Sequence, residues 1–226
     1  MSVSILFHGH STLEMTSGEH RLIIDPFLDQ NPLADVKATT IKTPHILLSH
    51  AHFDHTADAE AIAKQNNATI YCNVEMSQYY EKRGIQVVGL NQGGSVKTPF
   101  GRIALTIAFH TSTFADGSNG GVACGWIIEI GGKRIYFAGD TALFGDMALI
   151  GRIWKPDMAI LPIGDHYTMG PADAVLAAEM IGAPLVMPVH FNTFPPITQD
   201  AGAFADDLRI KGLTPVVLVP GGKFEL

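Results

Sequence analysis

The chain has 226 residues, 46% of them hydrophobic, which suits one compact unit with a sizeable buried core and leaves no room for a second catalytic domain. A net charge of -7 and a pI near 5.7 provide no broad basic face, and the compact cationic groups Lys82-Arg83 and Lys133-Arg134 read as solvated turns, so extended nucleic acid is excluded as a partner. A membrane-spanning helix is excluded as well, because Glu129 breaks the apolar run 122–130 well short of the necessary length. Residues 1–10 lack a basic start followed by an apolar segment, so the expected location is cytoplasmic. Cys72 and Cys124 are isolated among apolar or small neighbours; buried, inert thiols are the favoured reading, with a disulfide left open.

In chain order, residues 3–7, 12–15 and 21–24 predict an antiparallel meander, the last two separated by Ser17-Gly18-Glu19. A loop with polar and proline punctuation, 26–43, leads to the apolar run 46–48. A helix over 57–66, a strand over 70–72, a helix over 77–82 and a strand over 85–90 then alternate. Two hairpins, 96–109 and 122–137, turn at Pro99-Phe100-Gly101 and Gly131-Gly132. The remainder predicts a helix over 143–153, a strand over 158–161, a helix over 171–181 opened by proline, a strand over 186–189, a helix over 200–210 and a strand over 216–219. Two halves, each made of strands followed by α/β units, fold as two packed sheets flanked by helices: a four-layer αββα sandwich, expected as a single domain over 1–226.

The chemistry begins directly after the apolar run 46–48, in Ser49-His50-Ala51-His52-Phe53-Asp54-His55. Residues two apart on an extended segment share a side, so His50 and His52 point one way, while Asp54 and His55 fall where the chain bends. One loop can thus serve two neighbouring metal ions but cannot complete both shells. Three further ligand types recur where predicted strands give way to loops: His110, Asp140 and His190. Singly, His110 also fits a core histidine, Asp140 an Asx-turn and His190 a loop residue. Repetition of strand, ligand and loop after one HxHxDH segment gathers them under one architecture.

The segments HAHFDH, AFHTS, AGDT and PVHFNTFPP, in that order, resemble the metallo-β-lactamase-fold superfamily of metal-dependent hydrolases, across nearly the whole chain. HGHS, IDPFL, GDTALF and LPIGD further resemble its branch of small stand-alone members; ascorbate-phosphate lactonases and N-acyl-phosphatidylethanolamine phospholipases are similar at greater distance. The resemblance implies the αββα fold, with His50, His52 and His110 on one metal, Asp54, His55 and His190 on a second, and Asp140 bridging. Such a donor set suits two divalent transition-metal ions, zinc first, with Mn, Fe or Ni as alternatives, and disfavours Ca²⁺ or Mg²⁺. Some antibiotic-degrading relatives carry a thiolate at the position of Asp140, so β-lactam hydrolysis is not the expected reaction.

Two ions sharing a hydroxide could attack an ester, lactone, amide or phosphodiester of a small, anionic substrate, since two metals less two carboxylates and one hydroxide leave a site charge of about +1. Asp54 is expected to orient that nucleophile, and His166 to give a proton to the leaving group. His10 is a candidate to touch substrate or to brace a ligand. Phe194 is a candidate pocket wall or part of a rigid loop that positions His190. Asp25 is a candidate acceptor for a ligating imidazole or a turn cap before Pro26. Two other function classes fit the same ligands: an iron-dependent oxidoreductase acting on a thiol or persulfide, and a non-catalytic metal or nucleotide binder. A homo-oligomer is compatible with all three.

Overall fold

The computed structural model describes residues 2–226. Strands β1 (Ser4–Phe7), β2 (Leu13–Ser17) and β3 (His20–Ile24) form an antiparallel meander. It continues in parallel through β4 (His45–Leu47), β5 (Thr69–Asn73) and β6 (Gln86–Leu90). The crossovers carry the one-turn helix α1 (Phe53–Thr56) and the helices α2 (Ala59–Asn66) and α3 (Val74–Glu81).

The second half repeats the plan. β7 (Ser95–Thr98), β8 (Gly101–Ile107), β9 (Cys124–Ile130) and β10 (Lys133–Phe137) are antiparallel neighbours. After α4 (Met147–Trp154), the strands β11 (Met158–Pro162), β12 (Leu185–Val189) and β13 (Thr214–Pro215) run parallel, with α5 (Pro171–Ile181) and α6 (Ala201–Ile210) between them. Proline opens α5 and Gly182, at φ 70°, ends it; the Asp200 carboxylate caps α6 by accepting the Gly202 and Ala203 amides.

Alternation along the strands creates the layers. On β9, Trp126, Ile128 and Ile130 enter the core between the sheets, while Ile127 faces the helices. Leu47 and Tyr71 enter the same central core, whereas Ile46, Leu48, Ile70 and Cys72 pack under α2 and α3. Helices α4, α5 and α6 cover the opposite outer face through Met147, Ala174, Ala178, Ile181, Phe204 and Leu208. The four-layer αββα arrangement follows. Both cysteines are buried and free, and no helix among the described residues is long and apolar enough to cross a membrane.

The elements differ from sequence expectation chiefly at the C-terminus and at the starts of two helices. The strand expected over 216–219 is replaced by the two-residue β13, after which Val217 and Val219 are exposed and the chain crosses to the first sheet. There β14 (Lys223–Glu225) pairs with β1, Phe224 opposite Ile5. Three residues with alternating charges carry too little hydrophobic periodicity to be read as a strand. Helix α3 starts at Val74 rather than 77, because the Asn73 side chain accepts the Met76 amide and caps it there. Helix α4 starts at Met147 rather than 143, since residues 141–145 form a loop that places Phe144 against Phe109.

Strands β4, β8, β10 and β12 all deliver their C-terminal ends to one edge of the sandwich. Trp126 ties that edge together: fully buried on β9, it donates its indole N–H to the Leu48 carbonyl of the opposite sheet, 3.2 Å away. Trp126→Phe keeps most of the ring but leaves that carbonyl without its donor. Denaturant unfolding is expected to show a loss of about 1–3 kcal/mol; an unchanged midpoint and slope would count against this tie.

Candidate metal centre

The expected ligands converge at that edge. His50 Nε2 lies 3.0 Å from His52 Nδ1, which lies 3.3 Å from His110 Nε2. Opposite this triad stand Asp54, His55 and His190: Asp54 Oδ2 is 3.9 Å from His55 Nε2 and 3.7 Å from His190 Nε2. Asp140 Oδ2 sits between the groups, 3.0 Å from His190 Nε2, 3.3 Å from His55, 3.6 Å from His110 and 3.9 Å from His50. Tetrahedral coordination with bonds near 2.0–2.1 Å separates ligand atoms by roughly 3.3 Å, and these spacings bracket that value.

The outer nitrogens of three rings are braced in a way that fixes their inner ones. His55 Nδ1–H donates to Asp25 Oδ2 at 2.8 Å. His50 Nδ1–H donates to Ser49 Oγ at 2.9 Å, and that hydroxyl donates in turn to Asp25 Oδ2 at 2.6 Å. His52 Nε2–H donates to Thr111 Oγ1 at 3.2 Å. With those protons committed outward, His50 Nε2 and His52 Nδ1 present lone pairs to each other at 3.0 Å. A cation between them resolves that repulsion. His55 Nε2 and Asp140 Oδ1 are likewise buried without a hydrogen-bond partner, so the donors present fit transition-metal ions. Asp25 also accepts the Ser49 amide, at 2.8 Å, so it braces a candidate ligand in each group, His55 directly and His50 through Ser49.

The remaining expected residues fall in two places. His10 has no exposed surface; its ring bridges Asp54 Oδ2 (3.0 Å) and Thr193 Oγ1 (2.9 Å), and its carbonyl accepts the His190 amide at 2.7 Å. It faces the ligands and not the solvent. Phe194 packs its ring 5.6 Å from that of His10. His166 is exposed on the loop between β11 and α5, edge-on to Tyr167, and among the described residues shares no hydrogen bond or ion pair with the cluster. Gly164 seats this loop against His190, where a Cβ would lie 2.5 Å from the His190 carbonyl and 3.1 Å from its Nδ1. Sequence reasoning did not reach Ser49, Thr111 or Thr193 as bracing groups, since hydroxyls in loops carry no periodic signal.

The charges are strongly coupled. Burial lowers His50, His52 and His110 and brings His10 down to about 4, so these rings are neutral near pH 7. Burial acts the same way on His190, but Asp140 and Asp54 outweigh it and raise His190 to about 9. His55, facing Asp140, Asp54 and Asp25, is also raised against burial. Burial would raise Asp140 and Asp54, yet neighbouring imidazoles hold both carboxyls low.

Two expectations follow for ion binding. Since His190 is protonated below about 9 in the ion-free protein, an ion must displace that proton. Affinity should therefore rise with pH up to about 9, with proton release measurable by calorimetry in buffers of different ionisation enthalpy; a flat affinity between pH 6 and 9 would contradict it. For the ion-free fold the sign is reversed: stability from the His190–Asp140 pair is complete below the ordinary histidine value of 6.5 and is lost as pH rises through about 9. Asp25→Asn should weaken metal binding by about 10–100-fold in chelator competition; an unchanged affinity would show that Asp25 does not brace the candidate ligands.

Residues 20–191 match the family model of the beta-lactamase superfamily domain. A UPF0173 metal-dependent hydrolase of Exiguobacterium sp. is 47% identical over 214 residues, covering 93% of this chain and 96% of the relative. One of Thermus thermophilus is 45% identical over 219 residues, covering 97% of each. Among solved structures, a novel metallo hydrolase from the hyperthermophilic archaeon Ignicoccus hospitalis superposes with a TM-score of 0.92 at 35% identity, over 100% of this chain and 99% of that one. With its fold, strand-end histidines and aspartates in that company, the chain belongs to the UPF0173 metal-dependent hydrolases of the metallo-β-lactamase superfamily.

Proposed function

We propose that the chain hydrolyses an ester, lactone, amide or phosphodiester of a small molecule at a dinuclear metal centre. The observation that carries this reading is the position of Asp140 Oδ2, within 3.0–3.9 Å of imidazole nitrogens belonging to both ligand groups. His50, His52 and His110 would hold one ion, Asp54, His55 and His190 the other, and Asp140 both. Bound there, two divalent transition-metal ions, zinc first among Zn, Mn, Fe and Ni, would ionise water near neutral pH and polarise the scissile oxygen.

The chain's own groups supply orientation and proton traffic. Asp54 is held at Oδ2 by His10, so its carboxylate is fixed to accept a hydrogen bond from the attacking water and set its approach. As the bond from water oxygen to carbonyl carbon or phosphorus forms and the bond to the leaving group breaks, the leaving group needs a proton. His166, exposed on the loop seated against His190, is our candidate donor. Negative charge developing in the transition state is favoured by the site whether or not the substrate begins as an anion.

Protein reconstituted with Zn²⁺ is expected to bind two ions per chain and to turn over at least one of a generic ester, a lactone and a bis-aryl phosphate. A chelator should abolish turnover and added metal restore it. His50→Ala and Asp54→Ala should each lower kcat/KM by about a hundredfold or more. Activity that survives both substitutions would mark a contaminant, and a folded protein that takes up fewer than two ions would end the dinuclear reading.

A further inference from the structure

The loops around the metal centre carry no lysine or arginine. Residues 8–12, 25–36, 49–58, 109–123, 138–146, 163–170 and 190–200 contain no lysine or arginine, although they include Asp29, Asp116, Asp146, Asp165 and Asp200. Lys37, directly after the loop 25–36, donates to the Asp29 carbonyl, and Arg83 pairs with Glu60 and with Asp116 of the loop 109–123. A substrate that carried a phosphate or carboxylate away from its reacting group would find no lysine or arginine on these loops to pair with it. It would instead meet acidic groups on a chain of charge -7.

What these loops do present is aromatic surface. Phe53, between His52 and Asp54, is 38% exposed, its ring 5.2 Å from that of Phe27. Phe109, directly before His110, is 59% exposed; its amide is bonded to Thr141 and its carbonyl to the Ala142 amide, beside Asp140. Half-buried Phe194 stands over His10, and Tyr167, on the loop seated against His190, is 56% exposed. Single exposed apolar residues are ordinary on a protein surface, but three exposed rings and the half-buried Phe194, each on a ligand-bearing or ligand-seating loop, make aromatic side chains a recurring feature of these loops.

We infer that the part of the substrate that does not react is uncharged and apolar, an acyl chain or aryl group received by Phe53, Phe109, Phe194 and Tyr167. This rests on the proposed dinuclear centre and narrows it: the ions bind the one group that becomes negative, and the rings bind the remainder. The inference departs from the expectation of an anionic substrate, because the charge that the site favours lies at the ions and nothing on the rim extends it.

The test uses Co²⁺-loaded protein and two carboxylates of similar head-group chemistry, hexanoate and succinate, with binding read from the visible absorption of the metal. Hexanoate is expected to bind at least about tenfold more tightly than succinate, because a few buried methylenes suffice for that. Phe53→Lys, at a ring already exposed, should narrow or reverse the difference by weakening hexanoate and strengthening succinate. In parallel, kcat/KM on Zn²⁺-loaded protein should rise from p-nitrophenyl acetate to the hexanoate by about tenfold, with the succinate half-ester below both. Equal or tighter binding of succinate overturns the inference alone, and so does a flat or falling ester series. Failure to take up Co²⁺ overturns the dinuclear reading and this inference with it.

Discussion

One carboxylate oxygen organises the functional edge of this molecule. Asp140 Oδ2 is buried within 3.0–3.9 Å of ring nitrogens from His50, His55, His110 and His190. An ionised carboxylate removed from water costs several kcal/mol unless opposite charge meets it, and crowding imidazoles around it adds the cost of facing lone pairs. The backbone carries a further cost. His10, Asp25, His190 and Asn192 all lie near the centre with φ of 55°, 45°, 56° and 61°, a region that costs residues with side chains on the order of 1 kcal/mol or more each. A fold tolerates such expense where the surrounding packing over-determines it.

That packing comes from both sheets. The first contributes one dense loop, with His50, His52, Asp54 and His55, and beneath it Asp25 at the end of β3. The second contributes one residue after each of three strands: His110, Asp140 and His190. The centre therefore exists only while the sheets keep their distance, and the intersheet core sets it. Trp126 is central to this, since it fills that core and also holds the carbonyl of Leu48, two residues before His50. Gly139, at φ 64°, plays the complementary part: a Cβ there would meet the Cys124 carbonyl at 2.6 Å, so only glycine lets the chain pass to Asp140 at this spacing.

The convergence of the candidate ligands was legible in the sequence because its signals are local. An HxHxDH loop after an apolar run, and single ligands where strands end, require no knowledge of which strands are neighbours. The bracing was legible only in part: Asp25 and His10 were candidates to brace a ligand, but which groups they and the hydroxyls of Ser49, Thr111 and Thr193 would meet depends on pairing. Asp25 reaches Ser49 and His55 only because β3 and β4 are parallel neighbours with Ile24 opposite Leu47. His10 meets Thr193 across 183 positions of sequence. The two sheets and most helices were likewise readable from periodicity, whereas β14 was not: its pairing with β1 is a fact of tertiary proximity that three residues cannot announce.

The absence of basic side chains around the centre has a consequence for how the site holds together when ions come and go. Among the described residues of the ion-free protein, the positive charges beside Asp54 and Asp140 are the protons on His55 and His190, both of which those carboxylates retain against the effect of burial. These protons stand where divalent ions would stand on the proposed reading, and they keep the carboxylates from repelling one another. Exchange of protons for ions then replaces one set of cations by another without moving the ligands far, consistent with rings already braced from outside by Asp25, Ser49 and Thr111. The positive potential available to a developing oxyanion is, on the same reading, supplied entirely by the bound ions. A lysine or arginine at the rim would have made anion affinity a property of the chain; without one, it becomes a measure of metal occupancy.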